Sequence, residues 1–133
     1  ADFVEGFRAA VRSVVRSKER ECLVVSYSRE ALGQSGAGHF SPIGGYHEET
    51  DSVLIMDVAR FKYPPHWANL DQVAEAMSLL DEDTGRTRGW LHLRLRQQAN
   101  GDGANLSVPL IVPYVPKAAG KRLSEGLATG PSR

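Results

Sequence analysis

The chain has 133 residues and balances 16 lysines and arginines against 16 aspartates and glutamates, so its formal net charge is zero. A hydrophobic fraction of 41% fits a packed core, and the length allows one domain at most, or a piece of one. A neutral surface builds no broad field for phosphate backbones or anionic lipid, which weighs against nucleic acid and membrane surfaces as partners. The single cysteine, Cys22, cannot staple a secreted fold from within, so a reducing, cytoplasmic setting is expected. No apolar run approaches the ~20 residues of a membrane span. The N-terminal segment has no signal-peptide layout, and because it starts at Ala1 rather than methionine a fragment or a processed chain is expected.

Phe3, Phe7, Val11 and Val14 form an apolar stripe, with Arg8, Arg12, Arg16 and Lys18 on the polar side, so residues 3–16 are predicted to be an amphipathic helix. Residues 22–27, from Cys22 to Tyr27, read as a short buried strand. Gly33, Gly36 and Gly38 then mark a loop able to turn sharply and approach a ligand closely, although no Gly-Lys-Ser/Thr follows to make it a phosphate loop. An extended segment from His39 to Tyr46, a polar turn at 47–51 and a strand from Ser52 to Asp57 come next. That strand is apolar on both faces and is predicted to lie centrally in a sheet. Pro64 and Pro65 break regular structure. Asn69 is placed to cap a helix over 70–80 with Leu70, Val73, Ala74, Met77 and Leu80 as its apolar stripe. Residues 90–96 alternate, with Leu91, Leu93 and Leu95 opposite His92, Arg94 and Arg96, as in a strand with one wet face. A turn at 100–103 and an edge strand within 106–115, interrupted by Pro109 and Pro113, close the ordered part. The expected division is 1–116 as domain and 117–133 as a disordered tail. The element order points to an α+β fold with a mainly antiparallel sheet.

Two residues stand out for chemistry. His39 follows the glycine-rich loop and Asp57 ends the next strand. If the strands form a hairpin through the 47–51 turn, paired residue numbers sum to about 98, and His39 falls within two positions of Asp57. An imidazole–carboxylate hydrogen bond is then within reach, and such a bond would fix the tautomer and strengthen the other nitrogen as a base. An aspartate beside so apolar a run also needs a partner for its charge. Spacing leaves open the plainer alternative of a loop histidine and a strand-end carboxylate meeting solvent or Arg60. His47, His66 and His92 lack metal-ligand spacing, so no protein metal site is expected. Trp67 and Trp90 read as core residues.

The segments Gly38-His-Phe-Ser-Pro-Ile-Gly-Gly-Tyr46 and Leu54-Ile-Met-Asp-Val-Ala-Arg-Phe-Lys-Tyr-Pro-Pro-His-Trp67 closely resemble phytochelatin synthases, and residues 22–89 keep that family's order and spacing. The resemblance implies a papain-like fold with a cysteine–histidine–aspartate triad in which His39 and Asp57 are the catalytic pair. It implies γ-Glu-Cys transfer from glutathione to glutathione or a growing phytochelatin through a cysteine acyl-enzyme, in heavy-metal detoxification. It supports Arg60 and Tyr63 as substrate-binding residues; strict alternation past Asp57 would put Tyr63 on the side of Asp57 and Arg60 on the other. The plainer alternative has Arg60 pairing with a surface acid and Tyr63 packing on Pro64. No tightly bound cofactor is implied; a Cd or Zn ion enters as the metal–glutathione thiolate substrate or as an activator. Expected partners are glutathione, metal–glutathione complexes, a missing N-terminal half of the catalytic domain and a second copy of the chain. The family's nucleophilic cysteine belongs far upstream at a helix start, where the dipole lowers its pKa. Cys22 begins a strand and matches a non-catalytic position, so it reads as structural, and this chain alone is expected to be inactive. Two further readings stay open: a peptidase that only removes glycine from glutathione, and a non-catalytic relative that binds glutathione or metal–glutathione.

Overall fold

The computed structural model describes residues 2–95 and 110–113. The expected turn at 100–103, the boundary near 116 and the tail at 117–133 lie outside the described residues. Helix α1 (Asp2–Arg16) precedes strand β1 (Glu21–Tyr27), then come a 3-10 turn (Glu30–Leu32), β2 (His39–His47), β3 (Ser52–Ile55), β4 (His66–Asn69), α2 (Leu70–Ser78), β5 (Gly89–Arg94) and β6 (Leu110–Pro113). All six strands join one antiparallel sheet in the order β4-β3-β2-β1-β5-β6. The fold is α+β, as the element order predicted, and the proline-flanked β6 does lie at an edge.

One sheet face carries the core. Leu23, Val25 and Tyr27 alternate inward from β1, Ile43 from β2, Val53 and Ile55 from β3, and Trp90 from β5. Phe7 and Val11 of α1 and Leu70, Val73, Ala74, Ala76 and Met77 of α2 are buried in the same cluster. Burying Phe7 or Val11 contributes about 1.5–3 kcal/mol each. The Phe7 ring sits 5.2 Å from Trp90, as does the Phe3 ring, which sets the seat of α1 on the sheet. Asn69 caps α2 as predicted, accepting from the Asp71 and Gln72 amides at 3.1 and 3.3 Å.

The β2–β3 hairpin has the predicted register, Ile43 opposite Ile55, a sum of 98. A bulge at Gly44 then shifts it so that Gly45 pairs with Leu54 and Tyr46 with Val53. The extra residue reverses side-chain parity, so Ile43 and Tyr46 both face the helices. Asp51, in the turn at φ 47°, ties this hairpin down. Its carboxylate accepts from Arg8 of α1 at 2.8 Å and from the Tyr46 hydroxyl at 2.6 Å, and its carbonyl accepts from the Leu70 amide at 2.8 Å.

Several expectations are corrected. The strand predicted through Asp57 stops at Ile55, and Asp57 lies beyond it. Leu80 is 64% exposed rather than core, because α2 ends at Ser78 and Leu80 instead bridges to Thr87 across the charged turn. In β5 the predicted faces are exchanged: Trp90 is buried under α1, while Leu91 and Leu93 lie on the opposite sheet face with Cys22 and Val24. Alternation fixes which residues share a face and cannot say which face the helices cover; the large ring of Trp90 outweighed two leucines. Trp67 is half exposed, on β4, a strand that the prolines before it concealed.

Candidate functional site

The predicted residues gather at one end of the sheet. β1 finishes at Tyr27, which pairs with His39, the first residue of β2. Directly opposed residues of an antiparallel pair project to the same face, so His39 and Tyr27 share the helix-bearing face, Tyr27 buried and His39 exposed at its rim. Between them the chain turns back through the 3-10 turn, with Gly33 at φ 68° and Gly36 at φ 102°, conformations that favour glycine. Gly38 is needed for a different reason: a Cβ there would sit 3.0 Å from the Tyr27 carbonyl and 2.5 Å from Arg88 Nε.

Asp57 is buried, with 1% of its surface exposed. Leaving β3, the chain carries it beneath the end of β1, where the Tyr27 hydroxyl donates to Oδ2 at 3.1 Å. Arg29 meets it in a bidentate pair, with Nη1 on Oδ2 and Nη2 on Oδ1, both at 2.7 Å. The Ala59 amide donates to Oδ1 at 2.8 Å. The Arg29 guanidinium, above all, holds the Asp57 carboxyl down to about 2. The charge pair in turn raises Arg29, and burial pushes the Tyr27 hydroxyl up.

The expected hydrogen bond between His39 and Asp57 is not formed here. Asp57 finds its compensating cation in Arg29, two residues past β1, rather than in His39 or Arg60. The His39 ring bonds instead through Nδ1 to the Gly38 carbonyl at 3.1 Å. A carbonyl can only accept, so Nδ1 carries the proton and the neutral ring presents the Nε2 lone pair, the tautomer a general base needs.

Tyr63 and Arg60 lie in an irregular turn rather than a continued strand, so strict alternation does not place them. The Tyr63 hydroxyl accepts from the Ser35 amide at 2.7 Å and meets Ser35 Oγ at 3.1 Å, which clips this turn to the glycine-rich loop. Those hydrogen bonds lower the Tyr63 pKa. The ring also lies 4.8 Å from the Arg29 guanidinium carbon. Arg60 is exposed and makes no side-chain hydrogen bond or ion pair with the described residues. His47 bonds to Thr50, His66 to Gln34 and the Pro64 carbonyl, and His92 to Glu21. Among the described residues no group of histidine, cysteine and acidic side chains could hold a metal ion. No helix among them is long and apolar enough to cross a membrane.

Sequence reasoning missed Arg29 and Tyr27. The available signal was the demand that a buried aspartate find a cation; what pattern could not supply was which of 16 basic residues answered it.

A family model described as Phytochelatin synthase matches residues 1–90. Glutathione gamma-glutamylcysteinyltransferase 1 of Lotus japonicus is 52% identical over 97 residues, covering 66% of this chain and 19% of the relative. Glutathione gamma-glutamylcysteinyltransferase 2 of Arabidopsis thaliana is 51% identical over 89 residues, covering 66% and 19%. The enzyme of that name from Schizosaccharomyces pombe is 45% identical over 75 residues, covering 56% and 18%. The chain therefore spans less than a fifth of the length of the curated relatives it matches. The matched region contains α1, β1 to β4, α2, His39 and the Asp57–Arg29 pair, and on that match the chain belongs to the phytochelatin synthase family.

Proposed function

We propose that this chain is the histidine–aspartate part of a papain-like catalytic domain that transfers γ-Glu-Cys from glutathione to a second glutathione or a growing phytochelatin. The observation that carries the reading is the arrangement at the end of β1 and β2: an exposed His39 whose Nδ1 proton is held by Gly38, on the same face as Tyr27, whose hydroxyl reaches the buried, ionised Asp57. The nucleophilic cysteine is supplied by sequence outside this chain, since Cys22 sits on the opposite sheet face from Tyr27.

In the first half-reaction His39 Nε2 takes the cysteine proton and the thiolate attacks the Cys–Gly carbonyl of glutathione. The thioester forms, the C–N bond breaks, and the imidazolium returns its proton to the departing glycine amine. In the second, the amine of another glutathione attacks the thioester while His39 accepts its proton, and the thiolate leaves. Asp57 supports the imidazolium electrostatically. Arg60, exposed and with no side-chain partner among the described residues, is suited to a glutathione carboxylate. Tyr63 lines the same turn with its hydroxyl already engaged by Ser35, so its contribution to the pocket is the ring. A Cd or Zn ion enters with the substrate as a metal–glutathione thiolate, in support of heavy-metal detoxification in a cytoplasmic setting; a second copy of the chain is a further partner to test by size.

The test is the full-length protein with glutathione and cadmium, scored for γ-Glu-Cys oligomers and for free glycine. The parent forms oligomers; His39→Ala abolishes both products, and Cys22→Ser keeps most activity. Appreciable transfer by the His39 variant removes it from the mechanism. Glycine release without oligomers identifies a peptidase, and glutathione binding without either product identifies a non-catalytic relative.

A further inference from the structure

The Asp57 carboxylate has no acceptor site to spare. Oδ1 takes Arg29 Nη2 and the Ala59 amide; Oδ2 takes Arg29 Nη1 and the Tyr27 hydroxyl. A carboxylate offers about four lone-pair sites, and all are filled without His39. Arg29 supplies two of the four donors from a planar fork, which fixes the carboxylate plane as well as its position. Arg29 is itself held from two further sides. Nη1 donates to Gln34 Oε1 at 3.1 Å, and the guanidinium lies over the Tyr63 ring. Only 3% of its surface is exposed.

We propose that Arg29 is a positioning residue for the acyl transfer, acting through Asp57: it sets the orientation and keeps the charge of the carboxylate that serves His39, with Gln34 and Tyr63 holding the guanidinium in place. This rests on Asp57 and His39 being the catalytic pair. A solely structural role predicts a different pattern. An ion pair that only holds the fold together alters stability and leaves the turnover of the folded enzyme unchanged.

The experiment uses the full-length protein with glutathione and cadmium, measuring kcat and KM for Arg29→Gln, Arg29→Lys, Asp57→Asn and the Arg29→Gln/Asp57→Asn double variant. Arg29→Gln lowers kcat by about 10- to 100-fold, the scale of a misplaced catalytic group, and leaves KM for glutathione within about twofold, because no substrate contact is removed. Arg29→Lys keeps the charge, loses the fork and recovers part of the kcat. In the double variant the Arg29 change adds almost nothing to the loss from Asp57→Asn, since the route through Asp57 is already cut. A folded Arg29→Gln enzyme with parental kcat overturns the proposal, as does a loss that multiplies in full with that of Asp57→Asn. Should Arg29→Gln fail to fold, the other two variants decide. The double variant leaves no lone buried charge, and the proposal requires its kcat to equal that of Asp57→Asn; parental kcat in Arg29→Lys overturns it. Parental kcat in Asp57→Asn alone refutes the underlying catalytic reading instead, so the two failures are told apart.

Discussion

Replacing Asp57 by asparagine tests the buried pair most directly. The Arg29 and Asp57 side chains are 4% and 0% exposed, so solvent screens neither of them. Asparagine keeps one oxygen for the guanidinium and turns an N–H toward the other arm, so one of the two 2.7 Å bonds becomes a donor facing a donor. The carboxyl's displacement from 3.8 to about 2 gives the order of magnitude. At ~1.36 kcal/mol per pH unit it corresponds to about 2 kcal/mol. Stranding a buried guanidinium raises the total to about 3–5 kcal/mol, the usual cost of removing one partner from a buried pair. Chemical denaturation of the parent, Asp57→Asn, Arg29→Met and the Arg29→Met/Asp57→Asn double variant measures this, with tryptophan fluorescence and far-UV circular dichroism as probes. The double variant is expected to be more stable than Asp57→Asn alone, because it leaves no unpaired charge. An Asp57→Asn protein within about 0.5 kcal/mol of the parent, the range of surface substitutions, would refute this account of the pair.

The same carboxylate predicts an acid dependence. Its folded pKa lies below its unfolded one, so its contribution is complete above about pH 5 and is lost as pH falls from about 4 toward 2. The stability gap between parent and Asp57→Asn narrows across that window; a gap independent of pH from 6 to 2 contradicts it. Gly38→Ala drives a Cβ toward Arg88 Nε and the Tyr27 carbonyl. Arg88 can swing aside but the strand cannot, so stability falls by about 1–3 kcal/mol, as in other overpacked sites, and kcat drops as the start of β2 shifts; an alanine variant with parental melting and turnover rules this out.

How much of this was legible in the sequence depended on the range of the interaction. The α1 stripe, the Asn69 cap and the hairpin register are local, set by side-chain period and by a turn, and the structure reproduces them. Boundaries and faces were not local. Leu80 fits the α2 period but lies beyond a helix that ends at Ser78, and Leu91 and Leu93 alternate correctly on the side away from the helices. The Gly44 bulge is a one-residue event that a Gly-Gly pair permits without specifying. At the site, the residue types were readable and the pairing was not. Arg29 and Asp57 are 28 positions apart and come together only because β1 and β3 both flank β2. Tyr63 meets Ser35 for the same reason, through a turn folded back on the glycine-rich loop.

The crowding of Asp57 also constrains how a histidine could use it. An imidazole that approached this carboxylate would have to displace one of four donors. The two Arg29 bonds are charge-assisted at 2.7 Å, and the Ala59 amide at 2.8 Å belongs to a backbone that would have to move. The Tyr27 hydroxyl, at 3.1 Å, is the longest of the four and the only neutral side-chain donor. Its single hydrogen can turn to a second acceptor, since Ser41 Oγ lies 3.5 Å away in the same buried space. Rotation of that hydroxyl therefore opens Oδ2 by exchanging a hydrogen bond to a charged acceptor for a neutral one, at a cost on the order of 1–2 kcal/mol. Because Tyr27 is the residue directly opposite His39 in the sheet, the acceptor site so opened lies on the face from which the imidazole would come.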